Sequence, residues 1–351
     1  MKIKINKQLF FSKELRPKII AEISGNHCGN KKLFLKHIIE AKKSGADLVK
    51  IQTYEPQDLL VNKFTNITKL KNSIWKGKSL WQLYKEAHTP FKWHKEAFAL
   101  AKKNNILLFS TPFSVRALNF LKKFNPPLYK ISSFEITDHK LITEIAKTKK
   151  PIIISTGMSK IKEIKDAIKI IERYNKKIIL MHCVSGYPTP YSEANILRIN
   201  LLKKKFPDIL VGLSDHTKDE WSSLASVSLG TVAIEKHFII NHKIKSNDSL
   251  FSIDKDQMKF LRKNSEKIFN CLGKENSDKL KTSEKNSLLF RRSIFATKDI
   301  KKNQRFTKNN INVFRPKIGM SANFYFNLIN KKSKIDIKQF SPIHKKHVRI
   351  S

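Results

Sequence analysis

The sequence contains little cysteine and no long apolar segment, and these two shortages exclude several classes of protein. Its three cysteines, Cys28, Cys183 and Cys271, are an odd number without CxxC spacing, which argues against a disulfide framework and against a structural zinc site. No apolar run approaches the ~20 residues that a membrane-spanning helix needs. Near the N-terminus only positions 9–11 are consecutively apolar, far short of a secretory signal. We therefore expect a protein of the reducing cytoplasm with no membrane partner.

Acidic residues are also scarce, since 29 Asp and Glu stand against 70 Lys and Arg, a formal net charge of +41. An excess of this kind is typical of proteins that bind nucleic acid or an anionic surface. The lysines are nevertheless spread through every segment, mostly where a helix would show its solvated face. We therefore favour biased composition and expect no nucleic-acid partner. A basic nucleic-acid-binding protein on a degenerate barrel stays open as an alternative.

Short apolar runs alternate with amphipathic helical stretches from Lys18 to Gly273. Near-continuous apolar runs are typical of strands buried on both faces, as in a parallel sheet. The eight runs occupy residues 18–24, 47–53, 106–112, 128–133, 151–157, 177–183, 209–215 and 231–237. This number of units over about 255 residues predicts an α/β fold, a (β/α)8 TIM barrel. A doubly wound open sheet is the alternative, but no glycine-rich dinucleotide turn follows the first run.

The character of the sequence changes after Gly273. Residues 274–287 are polar, without glycine or apolar periodicity, and this pattern predicts a linker. Residues 288–351 resume short β-like runs but are too few to bury much surface alone. We therefore predict a barrel domain over 1–273, a linker over 274–287 and a small β-rich domain over 288–351 that docks elsewhere.

An unusually long segment, 54–94, separates the second and third apolar runs. Long insertions after barrel strands tend to serve the active site. This insertion is rich in aromatic residues, namely Trp75, Trp81, Tyr84, Phe91 and Trp93. For most of them we favour local packing over a role in the site.

Polar side chains lie at the carboxyl ends of all eight apolar runs, which a barrel directs into one cavity. They are Glu22, Lys50, Gln52, Thr111, Lys130, Ser132, Ser155, Thr156, His182, Ser214, Asp215, His216, Glu235 and His237. A folded interior would not leave so many polar groups without partners. Their convergence on one site is therefore the economical interpretation.

Two kinds of chemistry are indicated by these groups. His216 and His237, 21 residues apart on the last two strands, can share a divalent cation, although a structural role is equally compatible with their spacing. Lys50 and Lys130, with neighbouring hydroxyls, suit an anion that carries several oxygens. The alternative is that each lysine merely pairs with Glu22 or Glu135. Cys183 could suggest a thiol nucleophile, but no Asn or Asp completes a triad, so we give this little weight.

Eight ordered sequence blocks carry a resemblance to a known family. They are AEISGNHCG, VKIQTY, FSTPF, YKISSFEI, IISTGM, LMHCVSGYPTP, VGLSDHT and IEKHF. In this order they resemble the N-acetylneuraminate synthase family, and RRSIFATKDIKKNQRFTKNNINVFRPKIG resembles its C-terminal antifreeze-like (SAF) domain. Within the family, SLWQLYKEAHTPFKWH, SSFEITDHKLI and NDSLFS are closest to the pseudaminic acid synthase branch.

The resemblance implies a reaction and its partners. Phosphoenolpyruvate would condense with 2,4-diacetamido-2,4,6-trideoxy-altrose and water to give a nonulosonic acid and phosphate. The alternative within the family is an N-acetylneuraminate or legionaminate synthase that uses another acetamido-sugar. A divalent metal, Mn²⁺ ahead of Mg²⁺ or Co²⁺, and a domain-swapped homodimer are also implied. The expected enzyme is a transferase that forms a C–C bond.

The resemblance further implies roles for individual residues. His216 and His237 would bind the metal. Phosphoenolpyruvate would bind to Lys50, Thr111, Lys130, Ser132, Ser155 and Ser214, with Lys130 also counted as catalytic because it stabilises the leaving phosphate. The sugar or the attacking water would contact Glu22, Gln52, Glu135, Tyr187 and Asp248, with Glu135 the first choice to activate water and Glu22 the second. Arg315 would reach an acetamido group across the dimer. Departures at Cys28, Gly29, Gly186 and Asn247 remove none of these side chains.

Overall fold

The structure is a computed structural model and describes residues 2–6, 9–61, 74–273 and 278–349. It divides into two compact units, Met1–Gly273 and Lys274–Ser351. Part of the predicted linker, residues 274–277, lies outside the described residues. No helix within the described ranges is long and apolar enough to cross a membrane.

The first unit is built on a closed parallel barrel of eight strands, so the predicted (β/α)8 fold is confirmed. The barrel strands are β3 (Lys18–Glu22), β4 (Leu48–Thr53), β5 (Leu107–Pro112), β6 (Tyr129–Ile131), β7 (Ile152–Ser155), β8 (Ile178–Cys183), β9 (Leu210–Asp215) and β10 (Ala233–His237). Adjacent strands follow one another in the chain, and β10 closes the barrel against β3. Every carboxyl strand end therefore points to the same face.

The helices of the first unit follow the strands, and most of them cover the outside of the barrel. The helices are α1 (Lys31–Lys43), α2 (Pro56–Leu59), α3 (Leu80–Ala87), α4 (Phe91–Lys103), α5 (Val115–Lys122), α6 (His139–Ala146), α7 (Ile161–Glu172), α8 (Arg198–Lys205), α9 (Trp221–Ser228) and α10 (Lys255–Leu272). Of these, α2 and α3 belong to the insertion after β4, which borders a cavity at the carboxyl end of the barrel. The apolar stripes of the other helices pack on outward-facing strand residues; Ile164 and Ile168 of α7, for example, share a buried cluster with Ile154 of β7. This burial is the main source of stability for such helices.

A short antiparallel hairpin closes the amino-terminal end of the barrel. Its strands are β1 (Lys2–Lys4) and β2 (Phe10–Ser12). Ile3 and Phe11 belong to the same buried cluster as Ile20 and Phe109 of the barrel strands. The site must therefore open at the opposite, carboxyl end.

The close approach of β9 and β10 requires a glycine. A Cβ atom at Gly212 would lie 2.6 Å from the carbonyl oxygen of Ala233, well inside van der Waals contact. Because His216 directly follows β9 and His237 is the last residue of β10, this spacing helps to set the distance between the two imidazoles.

The second unit has a small core of its own. It contains β11 (Ser293–Ala296), β12 (Ile311–Phe314) and the short helix α11 (Tyr325–Leu328). β11 and β12 form an antiparallel pair, and Ile294, Phe306 and Ile311 are fully buried between them and the following loops. Within the predicted linker, residues 282–284 and 286–290 form short 3-10 turns.

Candidate active site

A cavity of about 480 Å³ opens at the carboxyl end of the barrel. It collects most of the residues that the sequence predicts for the site. The predicted residues in its lining are Lys50, Gln52, Thr111, Lys130, Ser132, Glu135, Ser155, Tyr187, Ser214, His216, His237 and Asp248. Side chains from all eight strands or the loops that follow them thus meet in one place, as the barrel geometry requires.

Five of the residues that the sequence analysis places at the site lie outside the cavity lining, namely Glu22, Thr156, His182, Asp215 and Arg315. Glu22 is fully buried beneath the cavity, where its Oε2 atom lies 2.9 Å from Lys50 Nζ. Arg315 belongs to the second unit and is exposed to solvent.

A buried ionic network connects the two cavity lysines. Lys50 Nζ lies 3.1 Å from Glu235 Oε1, and Lys130 Nζ lies 2.9 Å from Glu235 Oε2. Ser214 Oγ donates to Glu235 Oε1 at 3.1 Å. Glu235 therefore connects strands β4, β6, β9 and β10, a function that the sequence analysis did not assign to it. The two lysines do pair with carboxylates, but the partner of Lys130 is Glu235 and not Glu135.

Burial and ion pairing shift the pKa values of the four charged groups in this network. Burial raises the pKa of Glu22 to about 7, against the opposing effect of Lys50. Burial would also raise the pKa of Glu235, but Lys130 and Lys50 hold it well below its ordinary value. The pKa of Lys50 is raised, because the attraction of Glu22 and Glu235 exceeds the effect of burial. Burial lowers the pKa of Lys130, although the attraction of Glu235 opposes this effect. Two lysines thus share one ionised carboxylate and one carboxyl group that titrates near neutral pH, an arrangement suited to an anionic ligand.

Two hydroxyl groups beside the lysines are buried without a partner. Thr111 Oγ1 and Ser155 Oγ make no hydrogen bond among the described residues, and both line the cavity. A buried hydroxyl left unsatisfied costs about 1–3 kcal/mol. Donors held in this way next to two ammonium groups are suited to oxygens that a ligand brings.

The two imidazoles lie side by side with ring centroids 5.3 Å apart. His216 Nδ1 is 2.9 Å from the carbonyl oxygen of Val184, so it carries the proton and Nε2 keeps its lone pair. His237 Nδ1 is buried without a hydrogen-bond partner among the described residues. Burial and the neighbouring His216 hold the pKa of His237 well below its ordinary range, so this ring is neutral.

These histidines fit a divalent cation that takes its other ligands from water or substrate. A buried ring nitrogen without a partner and a second ring with a fixed tautomer are the donors that such an ion requires. Asp248 Oδ2 lies 3.9 Å from His237 Nδ1 and accepts a hydrogen bond from the backbone N–H of Gly25 at 3.0 Å. In the part of the chain that the structure describes, no group of three or more His, Cys, Asp or Glu side chains is arranged as a complete metal site.

Cys183 lies beside His216. Burial would raise the pKa of the Cys183 thiol, but His216 opposes this effect and the pKa is lowered to about 7. Its Sγ atom lies 3.8 Å from His216 Nδ1. That nitrogen already donates to Val184 O at 2.9 Å, so it holds a proton where a general base would need a lone pair. This geometry agrees with the low weight that we give to thiol chemistry.

A second buried ion pair lies behind the imidazoles, outside the barrel wall. Lys236 Nζ is 3.1 Å from Asp215 Oδ2, which also accepts from Ser223 Oγ of α9 at 2.6 Å. Asp215 Oδ1 accepts from the backbone N–H of Thr217 at 2.8 Å. Asp215 and Lys236 directly precede His216 and His237, so this pair fixes the backbone on which both rings are mounted.

We expect Lys236→Met to reduce the free energy of unfolding by about 3–5 kcal/mol, because Asp215 would keep a buried charge without its cation. Asp215→Asn/Lys236→Met should lose much less, since it removes both charges. Lys162→Met, at an exposed position of α7, should change stability by less than about 0.5 kcal/mol. Urea unfolding measures all three; equal losses in the single and double variants would contradict the role of the pair.

The insertion after β4 supplies one side of the cavity. Leu59, Trp75, Leu80, Leu83, Tyr84 and Ala87 all contribute to its lining. The expectation of plain packing is right for Trp93, whose ring lies 5.6 Å from that of Phe34, and for Phe91, which stacks on Phe120 at 4.4 Å. Trp75 and Tyr84 are exceptions to a prediction made for most of these residues, since both line the cavity.

Comparison with known proteins places this site in a family. The chain matches the NeuB family model over residues 37–277. It is 40% identical over 331 residues to the pseudaminic acid synthase of Campylobacter jejuni, covering 93% of this chain and 95% of that protein. It is 39% identical over 329 residues to the pseudaminic acid synthase of Helicobacter pylori, covering 93% of this chain and 96% of that protein.

A solved structure agrees with these matches. The N-acetylneuraminic acid synthetase of Leptospira borgpetersenii, determined in complex with citrate, aligns with a TM-score of 0.73 at 29% identity. The alignment covers 83% of this chain and 96% of that chain. Similarity therefore extends over most of the chain, and not only over isolated motifs.

Proposed function

The chain belongs to the NeuB family, and we propose that it synthesises pseudaminic acid from phosphoenolpyruvate and 2,4-diacetamido-2,4,6-trideoxy-altrose. The observation that carries this is the buried pair Lys50 and Lys130 beside the unpartnered hydroxyls of Thr111 and Ser155. A phosphorylated carboxylic acid has enough anionic oxygens to engage all four groups. The similarity to two pseudaminic acid synthases supports the choice of sugar.

The reaction forms one C–C bond and breaks one C–O bond. The methylene carbon of phosphoenolpyruvate attacks the aldehyde carbon of the open-chain sugar, whose oxygen takes up a proton. Water adds to the resulting cationic carbon and loses a proton, and the tetrahedral intermediate then expels phosphate. Lys50 and Lys130 hold the anion and stabilise the departing phosphate. Closure of the sugar ring afterwards needs no enzyme.

Glu135 is the group that we propose as the acceptor of the proton from water. It lines the cavity, its carboxylate accepts a hydrogen bond from Ser132 Oγ, and burial raises its pKa to about 7. A base with a pKa near the working pH is the most effective catalyst of such a transfer. Glu22 is second, because it lies deeper and is held by Lys50.

A pH profile tests this assignment. Glu135 must be ionised to act, so kcat/KM should rise about tenfold per pH unit below pH ~7 and level off above it. Glu135→Gln should lower the rate and remove the acidic limb, whereas Glu22→Gln should retain the limb. If the acidic limb of the kcat/KM profile persisted in Glu135→Gln, another group would be the base.

His216 and His237 would hold a divalent cation, with Mn²⁺ first, and Mg²⁺ or Co²⁺ as alternatives. When bound, such an ion acts as a Lewis acid on the aldehyde oxygen. We expect a chelator to abolish turnover and Mn²⁺ to restore it, and His237→Ala to weaken Mn²⁺ binding at least about tenfold by titration of free Mn²⁺. His182→Asn is the matched control, since His182 Nε2 is bonded to Ala194 O at 2.8 Å. Full activity of the metal-stripped enzyme would exclude a metal requirement.

For the second unit we propose an SAF domain in a domain-swapped homodimer, with Arg315 directed to an acetamido group of the sugar. The support is the likeness of residues 288–351 to that domain, the independent core of the unit and the exposure of Arg315. An Arg offers a rigid pair of donors that Lys does not reproduce.

Phosphate release from phosphoenolpyruvate with a panel of sugars tests the function directly. We expect the highest kcat/KM with the trideoxy-altrose derivative. A higher value with N-acetylmannosamine, or with the corresponding diacetamido-mannose derivative, would instead indicate a neuraminate or legionaminate synthase. If none of the sugars supported phosphate release and the protein bound DNA with an affinity that falls with salt, the nucleic-acid alternative would be favoured.

A further inference from the structure

Helix α3 directs its apolar stripe into the active-site cavity. Leu80, Leu83, Tyr84 and Ala87 are spaced i, i+3, i+4 and i+7, and all of them line the cavity. A stripe with this spacing ordinarily packs on a protein core. Here part of it faces the space that the substrate must occupy.

Aromatic side chains extend this apolar surface. The ring of Tyr54 makes edge contacts with Tyr84 at 6.0 Å and with Phe113 at 5.1 Å between centroids. The surface also continues into the catalytic groups, since Trp75 packs on Tyr187 at 5.7 Å and Tyr187 packs on His216 at 4.4 Å. The apolar wall and the imidazoles therefore border one cavity.

Polar contacts hold this wall in place. The first turn of α3 is closed by a capping box, in which Ser79 Oγ accepts from the N–H of Gln82 at 3.2 Å. Trp75 Nε1 donates to the carbonyl oxygen of Asn247 at 2.7 Å, and Lys78 Nζ donates to Asn247 Oδ1 at 2.9 Å. Because Asn247 directly precedes Asp248, the wall has a fixed position relative to the site. At the far end of α3, a Cβ atom on Gly25 would lie 3.0 Å from that of Ala87.

We propose that the side chains of Leu80, Leu83 and Phe113, together with the ring carbons of Tyr54 and Tyr84, form a subsite for the C6 methyl group of a 6-deoxy sugar. This inference rests on the proposed function and names the part of the substrate that the wall selects. An acetamido group carries an N–H and a carbonyl that need partners, which leucine side chains do not supply. The methyl carbon has no polar atom, and it lies at the end of the sugar chain remote from the reacting aldehyde.

The wall selects against a hydroxymethyl group at C6. The added hydroxyl would be buried beside leucine side chains and would lose its hydrogen bonds to water. Apolar pockets discriminate against an added hydroxyl by about a hundredfold at most. We therefore expect kcat/KM for the sugar with a C6 methyl group to exceed that for its hydroxymethyl counterpart by roughly 10- to 100-fold.

The test uses two sugars that differ by one oxygen: the trideoxy-altrose derivative and 2,4-diacetamido-2,4-dideoxy-altrose. Wild-type enzyme should prefer the methyl sugar by about 10- to 100-fold in phosphate release. Leu80→Asn and Leu83→Asn should reduce that ratio about tenfold or more while the KM for phosphoenolpyruvate stays within about twofold. Leu80→Met, which keeps the apolar character and approximate volume, should retain the wild-type ratio.

The outcomes separate the subsite from the overall function. A wild-type ratio near one, or an unchanged ratio in folded Leu80→Asn enzyme, would overturn the subsite while leaving the synthase activity intact. Leu80 is only half-buried, so its variant carries the test if Leu83→Asn does not fold. Absence of phosphate release with both sugars would overturn the proposed function and the subsite with it.

Discussion

Lys130→Met should lower kcat/KM for phosphoenolpyruvate at least about a hundredfold, through a higher KM because the anion loses a contact and through a lower kcat because the departing phosphate loses stabilisation. The lysine side chain is 2% exposed, so bulk water and salt cannot replace its charge at the anion. Glu235 would keep Lys50 at 3.1 Å as its partner. The variant is therefore not left with an unpaired buried carboxylate, and it should fold.

Lys140→Met separates this local contact from the general positive field of the chain. Lys140 is exposed at the start of α6, and removing it takes away the same formal charge from a chain of net charge +41. If steering by the overall field were dominant, both variants would lose rate and the loss would depend on salt. If the local contact between Lys130 and the anion is dominant, only Lys130→Met loses rate. An unchanged KM for phosphoenolpyruvate in Lys130→Met would remove this lysine from the anion site.

The barrel could be predicted from the sequence because its strands are buried on both faces. Runs such as 151–157 and 177–183 contain almost no solvent-facing positions, so their apolar content is continuous and easy to recognise. The polar residues that end these runs could be assigned to one site for the same reason, since a barrel brings all carboxyl strand ends together. Ten of the fourteen polar residues that end the runs line the cavity, whereas Glu135, Tyr187 and Asp248, which also line it, are assigned from the family resemblance alone.

The pairing of charges could not be predicted in the same way. Any carboxylate in this chain has many candidate partners among 70 basic residues. Glu235 is singled out only by the closure of the barrel, which brings β10 opposite β4 and β6 across the interior. The ion pair of Asp215 and Lys236 could not be predicted either, because nothing in the sequence distinguishes these two neighbours of the histidines from other charged residues.

Two further features escaped detection because their local patterns are ambiguous. The hairpin of β1 and β2 has three residues in each strand, too few to show an alternation of polar and apolar positions. The stripe of α3 has the period of a core-facing helix, and the sequence does not tell whether that face meets the protein interior or a cavity. Only the position of the helix over the barrel mouth decides between them.

Mixing two inactive variants should restore activity if the second unit acts in a swapped dimer. The variants are Arg315→Ala, assayed at a sugar concentration well below KM, and Lys130→Ala. In a mixed dimer, the subunit with Arg315→Ala keeps its own Lys130 and would receive an intact Arg315 from its partner, so one of the two sites is complete. Random exchange makes about half of the dimers mixed, and hence about a quarter of all sites active.

The alternative arrangement predicts no recovery at all. If each second unit serves the barrel of its own chain, every site in the mixture carries either the arginine lesion or the lysine lesion. Phosphate release measured after exchange distinguishes the two cases, provided that the formation of mixed dimers is verified with two differently tagged chains. Arg315→Lys keeps the charge but loses the paired planar donors. Its KM for the sugar should therefore lie between those of Arg315→Ala and wild type. If verified mixed dimers released no phosphate, the swapped arrangement would be rejected. Activity near a quarter of wild type would support it, because no single chain in the mixture carries both intact residues.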